Sequence, residues 1–118
     1  FKKSSDQGFS LASYNLAAMY QSGKGVKKNR KAAFKWMLKA AEKRFGKAQI
    51  KLGRWYKIGF GVKKSKVKAL EWFLIAENNS KGRLAELAAK EIKKVKTILS
   101  EAEIAKATDA AESFVPAS

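Results

Sequence analysis

Carboxylates are the only side chains of this sequence that could act as a general acid or base near neutral pH, because its 118 residues include no histidine and no cysteine. The same two absences exclude histidine-dependent triads, thiolate nucleophiles, disulfides and zinc sites built from soft ligands. The ten carboxylates are scattered, and neighbours such as Glu101 and Glu103 lie on different sides of a helix. The sequence therefore predicts no catalytic residue, no metal site and no cofactor.

Two Gly-x-Gly segments invite comparison with phosphate-binding loops. They are Gly23-Lys24-Gly25 and Gly59-Phe60-Gly61. Neither follows a predicted strand, and neither ends in the Gly-Lys-Ser/Thr of a nucleotide-binding loop. Because glycine adopts positive φ without penalty, both segments predict tight turns that end one helix before the next begins.

Lysine is the most abundant source of charge in the chain, which carries 26 basic against 10 acidic residues and a formal charge of +16. Basic side chains crowd the first Gly-x-Gly turn and the helix after it, and they recur at the second turn. Like charges at i and i+4, as at Lys31 and Lys35, repel each other on a helix. The predicted basic edge consists of Lys24, Lys27, Lys28, Lys31, Lys35, Lys63, Lys64 and Lys66.

Two interpretations of this edge remain open. It could dock an acidic protein, a lipid headgroup layer or nucleic acid, because clustered positive charge attracts anionic surfaces. It could equally serve only to keep the protein in solution. Nucleic acid is the alternative partner class, although only four of the 26 basic residues are arginine, the residue that favours bidentate phosphate and base recognition.

An internal repeat positions these residues. A shift of 36 places superposes identical residues at twelve of the 30 positions from Ala12 to Ala41, without a gap. The identical pairs begin at Ala12/Ala48, Leu16/Leu52, Tyr20/Tyr56, Gly23/Gly59, Gly25/Gly61 and Val26/Val62. They continue through Lys27/Lys63, Lys28/Lys64, Ala33/Ala69, Trp36/Trp72, Leu38/Leu74 and Ala40/Ala76.

Each repeat predicts two helices joined by its Gly-x-Gly turn. Apolar residues at helical spacing, such as Ala12, Leu16 and Met19, form one arc of the first helix. Asn29 and Ser65 occupy equivalent positions as N-caps of the second helix. The predicted fold is therefore an all-α solenoid of antiparallel helix-turn-helix repeats.

The same register predicts the organisation of the single domain. Residues 1–8 are expected to end the helix of a preceding repeat, since residues 1–7 superpose on residues 37–43. Residues 9–44 and 45–80 form two repeats, and residues 81–114 form a C-terminal helical cap. Within that cap, Ser100 and Glu103 fit a capping box that starts the last helix. Residues 115–118 are expected to be a loose tail.

At these residues the chain resembles the Sel1-like repeat, a 36-residue relative of the tetratricopeptide repeat. The resemblance rests on Ala12, Leu16, Tyr20, Gly23, Gly25, Val26, Ala33, Trp36 and Ala40, with their counterparts in the second repeat. It implies a non-catalytic scaffold that binds other proteins in envelope or membrane complexes, in signalling or in host interaction. It also favours a bacterial envelope or periplasmic location.

A second predicted surface is a partner-binding groove. Positions of the first helix that differ between the repeats, and that lie off the shared apolar arc, are the better candidates for partner contact. They are Tyr14, Ala18, Gln21, Ile50, Arg54 and Lys57. No apolar stretch approaches the roughly 20 residues of a membrane span, so membrane association is expected only through a complex.

These observations predict a non-enzymatic adaptor or accessory subunit of a larger complex, with membrane association of that complex left open. It would dock through the groove, the basic edge or both. Nucleic acid or another anionic surface is the alternative partner.

Overall fold

The computed structural model describes residues 2–114, with side chains described from Gly8 onward. This part of the chain contains helices and turns and no β-strand, which confirms the predicted all-α fold. The helices are α1 (Lys2–Ser22), α2 (Arg30–Glu42), α3 (Gly46–Ile58), α4 (Lys66–Asn79), α5 (Gly82–Lys96) and α6 (Glu101–Glu112).

The turns and caps of the two repeats are equivalent, as the register predicts. The first glycine of each turn is left-handed, with φ of 78° at Gly23 and 79° at Gly59. The Asn29 and Ser65 side chains each accept a hydrogen bond from the backbone N–H three residues later, at 3.0 and 3.2 Å. These contacts satisfy donors that a helix N-terminus leaves unpaired, and they confirm both predicted N-caps.

The first five helices pack in chain order and α6 packs on α4, around two apolar clusters. The first cluster draws residues from α1, α2, α3, α4 and α6 and includes Met37, Leu52 and Trp55, which are 0 to 3% exposed. The second draws residues from α3, α4, α5 and α6 and includes Phe73 and Val95, both fully buried. Each helix hairpin therefore buries one face within its own repeat and another against the next repeat, as a solenoid requires.

The structure differs from the prediction at the start of the first repeat. α1 runs without a break through Gly8, where the 36-residue register places the turn that separates α2 from α3. At that turn Arg44 has a φ of 67°, and its carbonyl accepts a hydrogen bond from the Asn79 side-chain amide at 2.6 Å. The residue equivalent to Asn79 in the first repeat is Lys43, which carries no amide.

A second side-chain amide also holds the turn between α2 and α3. Gln49 is fully buried, and its Nε2 donates to the carbonyl of Ala41 at 3.0 Å. The equivalent residue in α1 is Ser13, whose shorter side chain carries no amide. Because both amides are absent from the first repeat, residues 2–8 extend α1 instead of forming a separate helix end.

The region predicted as the C-terminal cap contains α5, which ends at Lys96, and α6, which begins at Glu101 with the predicted capping box. Ser100 Oγ accepts from the Glu103 N–H at 3.2 Å, and Glu103 Oε1 accepts from the Ser100 N–H at 2.9 Å. The Ser100 backbone hydrogen bond is the main reason that the pKa of Glu103 lies below its ordinary value. α6 packs on α4, where the rings of Trp72 and Phe114 meet edge to face at 5.5 Å. The predicted tail, residues 115–118, lies outside the described residues.

Candidate interaction surface

The eight lysines of the predicted basic edge are all solvent-exposed. Three of them, Lys24, Lys27 and Lys28, lie in the turn before α2, and Lys31 and Lys35 follow on α2 itself. Lys63 and Lys64 occupy the equivalent turn before α4, and Lys66 is the first residue of α4. We call these eight residues the lysine edge.

Contacts between the repeats bring the turn before α4 against the start of α2. The guanidinium of Arg30, the first residue of α2, lies 5.5 Å from the centre of the Phe60 ring, in the turn before α4. Gly61 of the same turn lies against the carbonyl of Arg30. The turn between α3 and α4 therefore packs against the start of α2, the helix that carries Lys31 and Lys35.

A cleft of about 540 Å³ lies between the second group of lysines and the C-terminal cap. Lys64 and Lys66 line one wall of the cleft, and Ile98, Leu99 and Glu103 line another. Lys66 adds to the lowering of the Glu103 pKa through its charge. The cleft brings the start of α4 next to the loop between α5 and α6.

Three further lysines, which the sequence interpretation did not assign to the edge, precede the loop that lines the cleft. Lys93, Lys94 and Lys96 lie in the last turn of α5, directly before the loop that lines the cleft, and all three are exposed. The C-terminal segment has no Gly-x-Gly turn, so the repeat register gave no counterpart for them. The sequence signal that they are exposed was their alternation with the apolar residues Ile92 and Val95, which the structure buries.

Carboxylate ion pairs are few along the lysine edge, although Glu103 shares the cleft with Lys64 and Lys66. Among the residues whose side chains the structure describes, none of the eight lysines forms an ion pair with a carboxylate. The first turns of α2 and α4 contain no acidic residue, while Arg30, Lys31, Lys66 and Lys68 all lie there. Cations at a helix N-terminus oppose the helix dipole, so this arrangement slightly destabilises both helices while concentrating positive potential at the edge.

One residue of the predicted groove, Ile50 of α3, is buried, while the groove as a whole stays a prediction. Ile50 is only 3% exposed because it packs in the second core cluster. The Arg54 guanidinium donates to Glu91 of α5 at 2.5 Å, and the Glu91 side chain is 10% exposed. Both positions contact the next helices of the solenoid. The prediction that Ile50 contacts a partner is therefore wrong, and the Arg54 guanidinium is already paired with Glu91.

The remaining groove positions are partly buried. The Tyr14 ring meets the Phe45 ring edge to face at 5.4 Å, and Ala18, Gln21 and Lys57 are intermediate in exposure. The first helix of a repeat has two apolar faces, one toward its own second helix and one toward the helix of the preceding repeat. The sequence could not tell which of them is covered, because both carry apolar or small residues.

Aromatic residues lie mainly in the core, as the sequence predicts. Trp55 and Trp72 are 3 and 7% exposed, and Tyr56 is sufficiently buried that desolvation raises the pKa of its hydroxyl. Trp36 is partly buried, with the Lys39 ammonium 4.6 Å from its ring centre. The described tryptophans therefore offer no open row of rings on which successive bases could stack.

Within residues 8–114, no three carboxylates lie close enough together to hold a metal ion. In the described part of the chain, no helix is long and apolar enough to cross a membrane. The Gly-x-Gly segments are turns between helices, as their positive φ values confirm.

Comparison with known proteins identifies the repeats. Residues 10–45 and 46–80 each match the family model of the Sel1 repeat. The structure resembles that of c5321, a protective antigen present in uropathogenic Escherichia coli strains that displays an SLR fold, with a TM-score of 0.83 and 31% sequence identity. That match covers 97% of this chain and 24% of c5321, so the chain spans about a quarter of the length of that relative.

A second solved structure gives the same result. The Sel1 repeat protein from Oxalobacter formigenes matches with a TM-score of 0.66 and 36% identity, over 75% of this chain and 65% of that protein. Among curated protein sequences, no significant match is found.

Proposed function

The chain belongs to the Sel1 repeat family, and from that premise we propose that it is a non-enzymatic adaptor or accessory subunit that holds an acidic protein partner against its lysine edge. Sel1 repeat proteins are generally protein-interaction scaffolds, which agrees with the resemblance found in the sequence. The proposal assigns the docking role to the lysine edge and not to the predicted groove, because groove residues such as Ile50 are used within the solenoid.

Exposed lysines without a carboxylate ion pair at two equivalent turns are the observation that supports this proposal. A surface needed only for solubility requires charges of any sign, distributed without regard to helix dipoles. Here the lysines gather where the N-termini of α2 and α4 already present positive potential, and Arg30 at the start of α2 contacts Phe60 in the turn before α4. This arrangement favours an anionic partner that spans both repeats.

The composition of the edge favours an acidic protein over nucleic acid. Lysine outnumbers arginine there, with Arg30 beside the eight lysines, and the lysine ammonium pairs well with single carboxylates but does not provide the planar fork that reads phosphates and bases. The buried tryptophans also offer no base-stacking surface. A partner with a run of aspartate and glutamate matches the charge and the exposure of the edge.

A matched pair of charge-reversal variants tests the proposal. The edge variant carries Lys27→Glu, Lys28→Glu, Lys63→Glu and Lys64→Glu. The control carries the same number of reversals at exposed lysines outside the edge, namely Lys47, Lys81, Lys90 and Lys106. Each chain is used as bait at low salt, and bound proteins are identified and their affinities remeasured as the salt concentration rises.

We expect an acidic protein to bind the wild-type chain and the control variant, and to be lost both from the edge variant and at high salt. Equal binding of the two variants would show that the lysine edge is not the docking surface. If nuclease treatment removed the bound material, the partner would be nucleic acid, and the proposal of a protein partner would be wrong.

A further inference from the structure

Charged and apolar side chains together line the cleft between the start of α4 and the loop between α5 and α6. The charged ones are Lys64, Lys66 and Glu103, and the apolar ones are Val67, Ile98 and Leu99. The cleft volume of about 540 Å³ falls within the range of roughly 300–1,000 Å³ that is typical of ligand pockets. The cleft therefore offers a partner apolar contact as well as charge.

Ile98 supplies the exposed apolar surface of the cleft. It is 51% exposed, whereas Val67 and Leu99 are partly buried and pack against the second core cluster. The loop that carries Ile98 is held at both ends, since the Ile98 N–H donates to the Val95 carbonyl at 3.1 Å and Ser100 forms the capping box of α6. Because the three apolar side chains share one cleft, the exposed isoleucine belongs to a patch and is not a single scattered residue.

Lysines lie in the cleft and directly before its loop. They are Lys64 and Lys66 in the cleft and Lys93, Lys94 and Lys96 in the last turn of α5. None of these lysines forms an ion pair with a carboxylate among the side chains described from Gly8 onward. Glu103 lies in the same cleft, but its Oε1 already accepts a hydrogen bond from the Ser100 N–H. The ammonium groups therefore match carboxylates that a partner would bring.

We propose that the cleft holds a large apolar side chain of the acidic partner, and that carboxylates on either side of that side chain pair with the lysines. The inference rests on the proposed function and adds a requirement to it, since a partner segment made only of aspartate and glutamate would leave Ile98 exposed to water. Burial of the apolar side chain against Val67, Ile98 and Leu99 contributes affinity that salt does not screen. The lysines contribute the long-range attraction and the salt dependence.

Glu103 favours a protein segment over a lipid surface at this cleft. The hydrogen bond from the Ser100 N–H keeps the pKa of Glu103 below its ordinary value, so its carboxylate is charged at neutral pH. Insertion of Ile98 into an anionic membrane would bring this carboxylate close to headgroup phosphates, where like charges repel. A protein segment instead can place its carboxylates at the lysines and an apolar residue between them.

Two fluorescently labelled peptides test the inference on the 118-residue chain. Each peptide is a short run of glutamates around one central residue, which is phenylalanine in the first peptide and serine in the second. In an anisotropy titration at low salt, the phenylalanine peptide should bind roughly fivefold to tenfold more tightly, because the cleft removes much of its ring from water. Rising salt should weaken the binding of both peptides by similar factors, because their charges are equal.

Substitutions in the cleft should separate the apolar from the charged contribution. Ile98→Ser should remove most of the difference between the two peptides and leave the affinity for the serine peptide unchanged. Lys64→Gln combined with Lys66→Gln should weaken the binding of both peptides by similar factors. Leu11→Ser is the matched control and should change neither affinity, because Leu11 is also 51% exposed and lies on α1, which contributes no residue to the cleft.

Amide resonances of isotope-labelled protein locate the contact. The phenylalanine peptide should shift the resonances of Val67, Ile98 and Leu99 further than the serine peptide does, and both peptides should leave those of α1 unchanged. Equal shifts at these three residues with the two peptides would contradict the inference.

The titrations also distinguish failure of the inference from failure of the proposed function. Equal affinities for the two peptides, both weakened by Lys64→Gln with Lys66→Gln, would overturn the inference and leave the lysine edge as the docking surface. Binding of neither peptide would contradict the proposed function as well. If vesicles of phosphatidylglycerol bound the chain through Ile98 while the two peptides bound equally, the occupant would be a lipid surface, and the inference would again be overturned.

Discussion

Gly61→Ala is expected to lower the free energy of unfolding by about 3 kcal/mol or more, whereas Gly25→Ala at the equivalent position should lower it by about 1 kcal/mol. Both glycines are left-handed, with φ of 71° and 75°, so both substitutions destabilise the fold by placing a Cβ in that conformation. The difference between the two losses in the free energy of unfolding measures the contribution of the contact between the repeats.

That contact is made by backbone atoms, which cannot move aside easily. A Cβ on Gly61 would overlap the Arg30 carbonyl and lie 3.0 Å from the Cβ of Phe34, both in α2 of the preceding repeat. A Cβ on Gly25 would meet only the terminal methyl of Met19, at 3.4 Å. The first clash requires the two repeats to separate, while the second requires only a small side-chain movement.

Urea denaturation followed by circular dichroism measures both variants, with the slope of the transition checked for constancy. Equal losses of stability for Gly61→Ala and Gly25→Ala would contradict the packing of the second turn against α2. That packing brings the turn that carries Lys63 and Lys64 against α2, so the comparison also tests the geometry of the proposed docking surface.

Gly53→Ala is expected to lower the free energy of unfolding by about 2 kcal/mol, although alanine is the better helix former by about 1 kcal/mol. The reason is the close approach of α3 to α4. A Cβ on Gly53 would lie 2.5 Å from Cε1 and 2.7 Å from Cδ1 of Phe73, whose side chain is fully buried and has no space into which to move. The added methyl group must therefore push the two helices apart.

The first repeat supplies the compensating change. Its equivalent pair is Ala17 and Met37, both fully buried. The first repeat therefore has the larger residue on its first helix, Ala17 in place of Gly53, and the more flexible residue on its second helix, Met37 in place of Phe73. Phe73→Met should therefore cost about 1–2 kcal/mol alone but restore stability when combined with Gly53→Ala. A double-mutant cycle should give a favourable coupling of at least about 1 kcal/mol, and additive losses would contradict the proposed contact.

The repeat register predicted most of the fold because local signals and the 36-residue period agree. Positive-φ glycines, the Asn29 and Ser65 caps and the Ser100 capping box each specify a helix boundary from short-range chemistry. The continuous α1 was not predicted, because the turn at Arg44 depends on amides of Gln49 and Asn79 that lie 5 and 35 residues further along the chain.

The candidate surfaces were predictable only in part. The lysine edge stays a prediction of the register, which places equivalent turns of a solenoid on the same edge, and Lys93, Lys94 and Lys96 lie outside that register. The groove could not be predicted, because a helix such as α3 has apolar residues on two faces and only the packing of α2 and α5 shows that both are covered. Ile50 was assigned to a partner for that reason.

Hydrogen exchange of the isolated complex tests most directly whether an acidic protein docks on the lysine edge. The edge lies at the starts of α2 and α4 and next to the end of α5. We predict that bound partner slows amide exchange in residues 24–35 and 63–68 and in the loop between α5 and α6, with little change in residues 81–90. Protection confined to α1, or to the start of α5, with none in residues 24–35 and 63–68, would contradict the claim.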